Sequence, residues 1–208
     1  MAELFENARF AVDVHLDATR LEMLTALEKF SDAAQRSETR LAVFYYAGHG
    51  AQLEWRNYLV PVDTVVSTAD QLRDGCVDLN AFLGRFQQKP GRTLIIILDA
   101  CRDNPFAPAM KRTMAVQLVD KGFSDIEPSS GFMVVYAAKH GEVALDGEGV
   151  DSPFASALAR DVKEPRVEVR KLFDIVRDDV WNTSRHQQQP FIYGSPPGRE
   201  DFYFVAGK

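Results

Sequence analysis

The sequence predicts an α/β fold in which a mostly parallel central sheet is covered by helices on both faces. Three continuous apolar runs, at residues 41–47 (LAVFYYA), 94–98 (LIIIL) and 132–138 (FMVVYAA), are typical of fully buried strands. Segments with helical periodicity alternate with these runs, as expected when crossover helices join parallel strands. No internal repeat or low-complexity tract is present, so we expect one domain over residues 1–208.

Helix signals accompany the strand signals. Asp78 is a candidate N-cap before apolar residues at positions 79, 82, 83 and 86, and a second apolar stripe runs from position 169 to 180. Ser152 and Pro153 place a cap residue before a proline at the first helical position. Asp17 is the candidate N-cap of a helix with apolar residues at positions 23, 27 and 30.

Three weaker segments complete the prediction. Residues 2–7 are typical of the end of a helix, residues 12–16 form a weaker strand candidate, and residues 57–62 predict a short hairpin arm. Residues 106–130 contain three helix-breaking prolines or glycines and no clean period, so we expect a long mobile connection there.

Composition and charge exclude several classes of protein. The chain has 208 residues, 46% of them hydrophobic and 26% charged, and a net charge of −6. This acidity argues against nucleic-acid and membrane-surface partners, because phosphates would be repelled. The two cysteines cannot form a disulfide framework, no apolar run reaches the length of a membrane span, and the first ten residues are too polar for a secretory signal. We therefore expect a soluble, cytoplasmic protein with reduced thiols.

Two predicted strands end in residues that carry chemistry. The first ends in the sequence YYAGHG, which contains His49, and the second ends in DACRDNPF, which contains Cys101. Open α/β sheets bind ligands beyond the carboxyl ends of their strands, so the two side chains can face each other across one crevice. A thiol becomes a useful nucleophile beside a base such as histidine.

Taken singly, each residue has a plainer interpretation. A lone cysteine after an apolar strand is more often a small buried residue, and a histidine between glycines is more often part of a turn. Cys76 has no partner in its sequence setting and receives no role. The remaining histidines, at positions 15, 140 and 186, have no comparable setting.

The two motifs together resemble those of the caspase/metacaspase superfamily of clan CD cysteine peptidases, in which the histidine lies about 50 residues before the cysteine motif. Here the separation is 52 residues. More narrowly, the chain resembles bacterial caspase-like proteins of the orthocaspase or metacaspase type. Further matches lie at residues 52–63, 146–158 and 189–204, so the resemblance extends from about Val12 onward.

The resemblance implies a caspase-like (caspase-hemoglobinase) fold and a cysteine endopeptidase that acts on proteins or peptides without a cofactor. It divides the chain into a large-subunit-like part (about 1–105), a linker (about 106–130) and a small-subunit-like part (131–208). Cys101 would be the nucleophile and His49 the general base and acid. The backbone N–H groups of Gly50 and Cys101 would form the oxyanion hole, since backbone donors need no reorganisation as the oxyanion develops.

Asp99 lies two residues before the cysteine. Metacaspases resemble caspases, but at this position they carry an acidic residue where caspases carry a glutamine. The resemblance implies that its carboxylate lines the substrate pocket and selects arginine or lysine by electrostatic attraction, as the pocket carboxylate of trypsin does. Alternatively, Asp99 caps the turn or pairs locally with Arg102. If basic residues are selected, Lys111, Arg112 and Lys121 in the linker are candidates for self-cleavage, because the tethered linker has a high local concentration.

The start of the chain departs from the family pattern. The family opens with a strand and a helix before the segment at 12–16, and this first strand is missing here, so we expect exposed central strand edges. A late annotated start, a fragment and a degenerate non-enzyme all fit this observation. Calcium activates many metacaspases. The acids at positions 63, 70, 74 and 78 form no compact ligand loop, however, and no metal site is predicted.

Two hypotheses of different classes remain. The first is a cysteine endopeptidase that cuts after arginine or lysine, and the second is an inactive interaction or signalling module with the same fold. A nucleotide-binding domain is disfavoured, because no glycine-rich phosphate loop follows any predicted strand. The oligomeric state is not indicated.

Overall fold

A computed structural model of the chain describes residues 1–86, 92–101, 131–138, 152–194 and 196–206, with Cys101 described by its backbone. The described part contains helices and strands that are interspersed along the chain. The helices are α1 (Ala2–Asn7), α2 (Arg20–Ala34), α3 (Ala69–Gly75), α4 (Leu79–Leu83), α5 (Pro153–Asp161) and α6 (Val169–Thr183). The strands are β1 (Leu41–Leu53), β2 (Arg56–Leu59), β3 (Val77–Asp78), β4 (Thr93–Cys101), β5 (Phe132–Tyr136) and β6 (Phe191–Gly194).

The strands form one six-stranded sheet in the order β3-β2-β1-β4-β5-β6. The three central strands, β1, β4 and β5, are parallel. The outer strands β2, β3 and β6 pair antiparallel to their neighbours. The predicted apolar strands and the hairpin arm after the first of them are thus confirmed, as is the mixed α/β architecture with a parallel core.

Helices pack on both faces of the sheet, as predicted. On one face, α1, α5 and α6 bury a core against the side chains of Ile95, Ile97, Met133 and Val135. On the other face, α2 and α4 pack against Leu94, Ile96, Leu98 and Val134. Alternate residues of the same strand therefore belong to opposite cores, which is why the central strands read as continuous apolar runs.

Strand β1 differs from the two parallel strands beside it. Residues 132–136 of β5 are fully buried, whereas residues 41–46 of β1 are only partly buried and residues 47–49 are exposed. β1 pairs with β4 along residues 41–49, and on its opposite edge the pairing begins at His49, whose carbonyl accepts the Val60 N–H, and continues along β2. Among the described residues, no strand pairs with this edge of β1 before His49.

Two local predictions are wrong. The N-cap of α2 is Thr19 rather than Asp17: the Thr19 hydroxyl accepts a hydrogen bond from the Glu22 backbone N–H, and the Glu22 carboxylate accepts one from the Thr19 backbone N–H. This capping box satisfies the backbone N–H groups of both residues and fixes the start of the helix. Residues 12–16 are not a strand, because no described strand offers them a ladder of backbone hydrogen bonds.

The other helix starts follow the sequence signals. Asp78 caps α4 by accepting a hydrogen bond from the Ala81 backbone, although the helix ends at Leu83 and does not reach position 86. Ser152 caps α5 with Pro153 at its first position. Among the described helices, none has both the length and the apolar character needed to cross a membrane.

Candidate active site

The strand register brings His49 and Cys101 to the same level of the sheet. They are Cα partners at the carboxyl end of the parallel ladder between β1 and β4. Neighbouring strands are about 4.8 Å apart, so the two backbones lie close to each other. The imidazole of His49 is exposed and makes no hydrogen bond to another described residue. This register places the backbones of the two residues side by side, as the sequence predicts.

The backbone of His49 is held by two donors. Its carbonyl accepts a hydrogen bond of 2.7 Å from the hydroxyl of Tyr46 and one of 3.1 Å from the N–H of Val60. Burial raises the pKa of the Tyr46 hydroxyl above its ordinary value of 10.0, so this group remains a neutral donor across the physiological range. The end of β1 is thereby tied to the chain that follows β2.

Gly48 lets Tyr46 reach that carbonyl. A Cβ atom at position 48 would lie 2.7 Å from the Tyr46 hydroxyl oxygen and 2.9 Å from Cζ of its ring. Real Cβ atoms do not come so close to other heavy atoms. The glycine in the YYAGHG motif therefore leaves the space that the tyrosine ring occupies.

The backbone N–H of Gly50 points away from β2. In an antiparallel pair, hydrogen-bonded and non-hydrogen-bonded residue pairs alternate. Val60 donates to His49, so these two form a hydrogen-bonded pair, and the next pair, Gly50 with Leu59, is of the other kind. The Gly50 N–H is consequently directed to the β4 side of β1, the side on which Cys101 lies.

Asp99 lies on the face of the sheet covered by α5 and α6. Its carboxylate oxygen Oδ2 accepts hydrogen bonds from the hydroxyl of Tyr45, at 2.8 Å, and from the hydroxyl of Ser152, at 3.1 Å. Tyr45 comes from β1 and Ser152 is the N-cap of α5. The half-buried carboxylate therefore joins three elements of the fold.

Tyr45, Tyr46 and Ser152 were not predicted to belong to the site. The two tyrosines are adjacent in the YYAGHG motif, and their side chains leave opposite faces of β1. Buried tyrosine hydroxyls usually find a hydrogen-bond partner. The presence of two tyrosines in the motif is therefore the sequence signal that could have assigned them to the site. Ser152 was recognised as a helix cap, and its second contact, with Asp99, depends on tertiary packing.

Three of the four acidic residues considered for calcium, at positions 63, 70 and 78, have other partners. Asp63 accepts the backbone N–H of Arg20, Asp70 pairs with Arg73, and Asp78 caps α4 while pairing with Arg56. In the described ranges, no group of three or more histidine, cysteine, aspartate or glutamate side chains is arranged to hold a metal ion.

Several residues singled out from the sequence lie outside the described residues. These are Arg102, the self-cleavage candidates Lys111, Arg112 and Lys121, and His140. Cys76, to which the sequence gave no role, is buried at the end of α3 with 2% of its surface exposed. Burial raises the pKa of its thiol from 9.0 to about 12, so it is a poor nucleophile at neutral pH.

A cavity of about 490 Å³ lies between β6 and α6, away from the end of β1. Arg170 and Arg177 line it, and both are paired with neighbouring carboxylates. Because its charged groups already satisfy one another, we assign it no part in the chemistry of the site.

A parallel sheet that brings a histidine and a cysteine together at its carboxyl edge defines the architecture of a clan of cysteine peptidases. A family model described as the caspase domain of peptidase C14 matches residues 1–201, and the chain belongs to this family of cysteine-type peptidases. No curated protein matches the chain significantly.

The fold also occurs in a solved structure. The crystal structure of protein GSU0716 from Geobacter sulfurreducens superimposes with a TM-score of 0.67 and 16% sequence identity. The match covers 100% of this chain and 87% of that protein. At this identity the similarity supports the caspase-like fold.

Proposed function

We propose that the protein is a cysteine endopeptidase that uses Cys101 as its nucleophile and His49 as its general base and acid. The observation that carries the proposal is the register of β1 and β4, which pairs these two residues at the carboxyl edge of the parallel core. Membership in the caspase-domain family supports the same chemistry.

In the proposed reaction, the imidazole of His49 takes the proton of the Cys101 thiol, and the thiolate attacks the carbonyl carbon of the scissile bond. The tetrahedral intermediate collapses when His49 returns the proton to the departing amine, which leaves an acyl-enzyme thioester. Water, deprotonated by His49, then attacks the thioester and restores the thiol. Each step is a proton transfer or an addition and elimination at one carbonyl, and no further reactant is needed.

The oxyanion of the intermediate would be held by the backbone N–H groups of Gly50 and Cys101. The Gly50 N–H is directed to the side of β1 where Cys101 lies, and in the ladder of β1 and β4 it faces the Cys101 carbonyl. The assignment therefore requires the two strands to separate at this point when substrate binds, after which the backbone donors can stabilise the developing charge. A side chain at position 50 is absent, so a substrate carbonyl can approach the backbone closely.

We assign to Asp99 the selection of arginine or lysine on the acyl side of the cut. The residue stands two positions before the proposed nucleophile on the same strand, and its carboxylate is held by the hydroxyl of Tyr45. A negative charge in a partly buried pocket favours a cationic side chain and rejects an acidic one.

Peptide cleavage by point variants tests the proposal. We expect Cys101→Ala and His49→Ala each to lower cleavage of a fluorogenic peptide ending in arginine by about three orders of magnitude or more. The matched controls are Cys76→Ala and His15→Ala, which replace a buried thiol and an exposed imidazole elsewhere in the chain. Their activity should remain within a few-fold of wild type.

Near-wild-type cleavage by folded Cys101→Ala or His49→Ala would contradict the assignment of these residues. If the folded wild-type protein cleaves no basic peptide, the outcome favours the inactive interaction module. Circular dichroism of each variant establishes that it is folded.

A further inference from the structure

The carboxylate of Asp99 is oriented by two hydroxyl groups that come from distant parts of the chain. Tyr45 lies 54 positions before Asp99 and Ser152 lies 53 positions after it. Both donate to the same oxygen, Oδ2, and Ser152 also makes a longer contact of 3.4 Å with Oδ1. Two donors on different elements restrict the rotation of a carboxylate far more than one does.

Ser152 makes this contact while it caps α5. Its hydroxyl oxygen accepts a hydrogen bond of 3.0 Å from the backbone N–H of Ala155, and its hydroxyl hydrogen is directed to Asp99. An N–H donor polarises the hydroxyl that it binds, which strengthens the bond that this hydroxyl donates onward. The N-terminus of the nine-residue helix α5 therefore lies beside the Asp99 carboxylate.

We infer that Ser152 and Tyr45 are positioning residues that hold the Asp99 carboxylate ready for a cationic substrate side chain, and so set the specificity of the enzyme. The inference rests on the proposed function. A hydroxyl donor fixes the direction of a carboxylate without itself bringing a positive charge to it. A preoriented carboxylate loses less conformational freedom when a guanidinium binds.

The competing interpretation is a purely structural role, in which the three residues pin α5 to the sheet. The two interpretations differ in what they predict for charge recognition. A positioning role links Ser152 to the preference for a cationic substrate over a neutral one of the same shape. A structural role affects stability, or affects all substrates equally.

The test uses two peptidyl chloromethyl ketones that differ only in their last residue, arginine or its neutral isostere citrulline. Each alkylates a thiolate with loss of chloride, and the measured quantity is the ratio of the two second-order inactivation rates. In wild-type protein we expect arginine to be preferred. Ser152→Gly and Tyr45→Phe should each lower this ratio about tenfold, since a hydrogen bond to a charged group is lost.

Variants at position 152 separate capping from positioning. Glycine is an acceptable N-cap, whereas alanine is a poor one, and neither side chain can reach Asp99. Ser152→Gly and Ser152→Ala should therefore lower the ratio equally while differing in thermal stability. Ser152→Thr retains both the cap and the hydroxyl, and it should keep the ratio within about threefold of wild type.

An unchanged ratio in Ser152→Gly and Tyr45→Phe, or an equal fall in both rates, would overturn the inference. Failure of the proposed function is a different result: the wild-type protein would react with neither peptide probe, although iodoacetamide modifies Cys101. That result would contradict both the proposed peptidase function and the positioning role of Ser152 and Tyr45, and it is seen in the wild-type protein alone.

Discussion

The hydroxyl of Tyr46 donates a 2.7 Å hydrogen bond to the backbone carbonyl of His49, three residues further along β1. This contact lies within β1, on the face of the sheet opposite to Asp99. It fixes the backbone from which the imidazole of His49 projects. The two tyrosines of the YYAGHG motif therefore act on opposite faces of the sheet: Tyr45 donates to Asp99, and Tyr46 donates to the His49 carbonyl.

Removing this hydroxyl should affect both stability and activity. We expect Tyr46→Phe to lower the free energy of unfolding by about 1 kcal/mol and the rate of peptide cleavage by about three- to tenfold, because one hydrogen bond to the His49 carbonyl is lost. Urea unfolding and a fluorogenic peptide assay measure the two effects. Tyr203→Phe is the control, since it removes a hydroxyl that contacts Asp201 at the surface. A stability loss with unchanged cleavage would show that Tyr46 does not position His49.

Gly48→Ala should disturb the same contact from the other side. The added Cβ would meet the ring of Tyr46 and displace its hydroxyl from the His49 carbonyl. We therefore expect Gly48→Ala to reduce cleavage at least as much as Tyr46→Phe does. The double variant should lose less activity than the product of the two single losses, because both changes break one interaction. Independent, multiplicative losses would mean that the glycine has another role.

The buried thiol of Cys76 predicts a specific loss of stability at alkaline pH. Its pKa is raised from 9.0 to about 12 by burial, so the folded protein keeps the proton that the unfolded chain releases near pH 9. The contribution to stability is fully present below pH 9 and declines between about pH 9 and 12. The slope from this one group approaches about 1.4 kcal/mol per pH unit.

Urea unfolding of wild type and Cys76→Ala at pH 8, 9 and 10 measures this contribution. The variant lacks the titrating thiol, so its stability should fall less steeply above pH 9, and the difference between the two proteins should narrow. Parallel curves for the two proteins would contradict the assigned pKa. The comparison cancels the titration of other groups, which both proteins share.

Self-cleavage in the segment at 106–130 remains a prediction from the sequence. If the pocket accepts basic residues, concentrated protein should produce fragments that end at Lys111, Arg112 or Lys121, as measured by intact mass. Cys101→Ala should produce none, and Asp99→Asn should slow the cut strongly. Fragments that end at Asp120 or Asp125 instead would show that the pocket selects acidic residues.

The elements that were predictable share a simple physical signal. Buried parallel strands read as unbroken apolar runs, and residues such as Asp78 and Ser152 cap helices through bonds to backbone groups within three positions. Both signals are local. The pairing of His49 with Cys101 is predictable for a related reason, because each residue follows shortly after an unbroken apolar run.

Contacts across the fold were not predictable in this way. The hydrogen bonds from Tyr45 and Ser152 to Asp99 depend on the register of β1 and β4 and on where α5 begins relative to the sheet. The start of α2 was misassigned because Asp17 and Thr19 are both good cap residues, and Glu22 completes a capping box with Thr19 alone. The strand expected at 12–16 needed a partner strand, which no pattern within those residues supplies.

Covalent labelling by a peptidyl chloromethyl ketone ending in arginine tests the central claim most directly. Intact mass and peptide mapping should show one adduct per chain, at Cys101, with none on the buried Cys76. The adduct should be absent from Cys101→Ala and form far more slowly in His49→Ala. If iodoacetamide modifies Cys101 in folded wild-type protein while the peptide probe does not, the protein is not the cysteine endopeptidase proposed here.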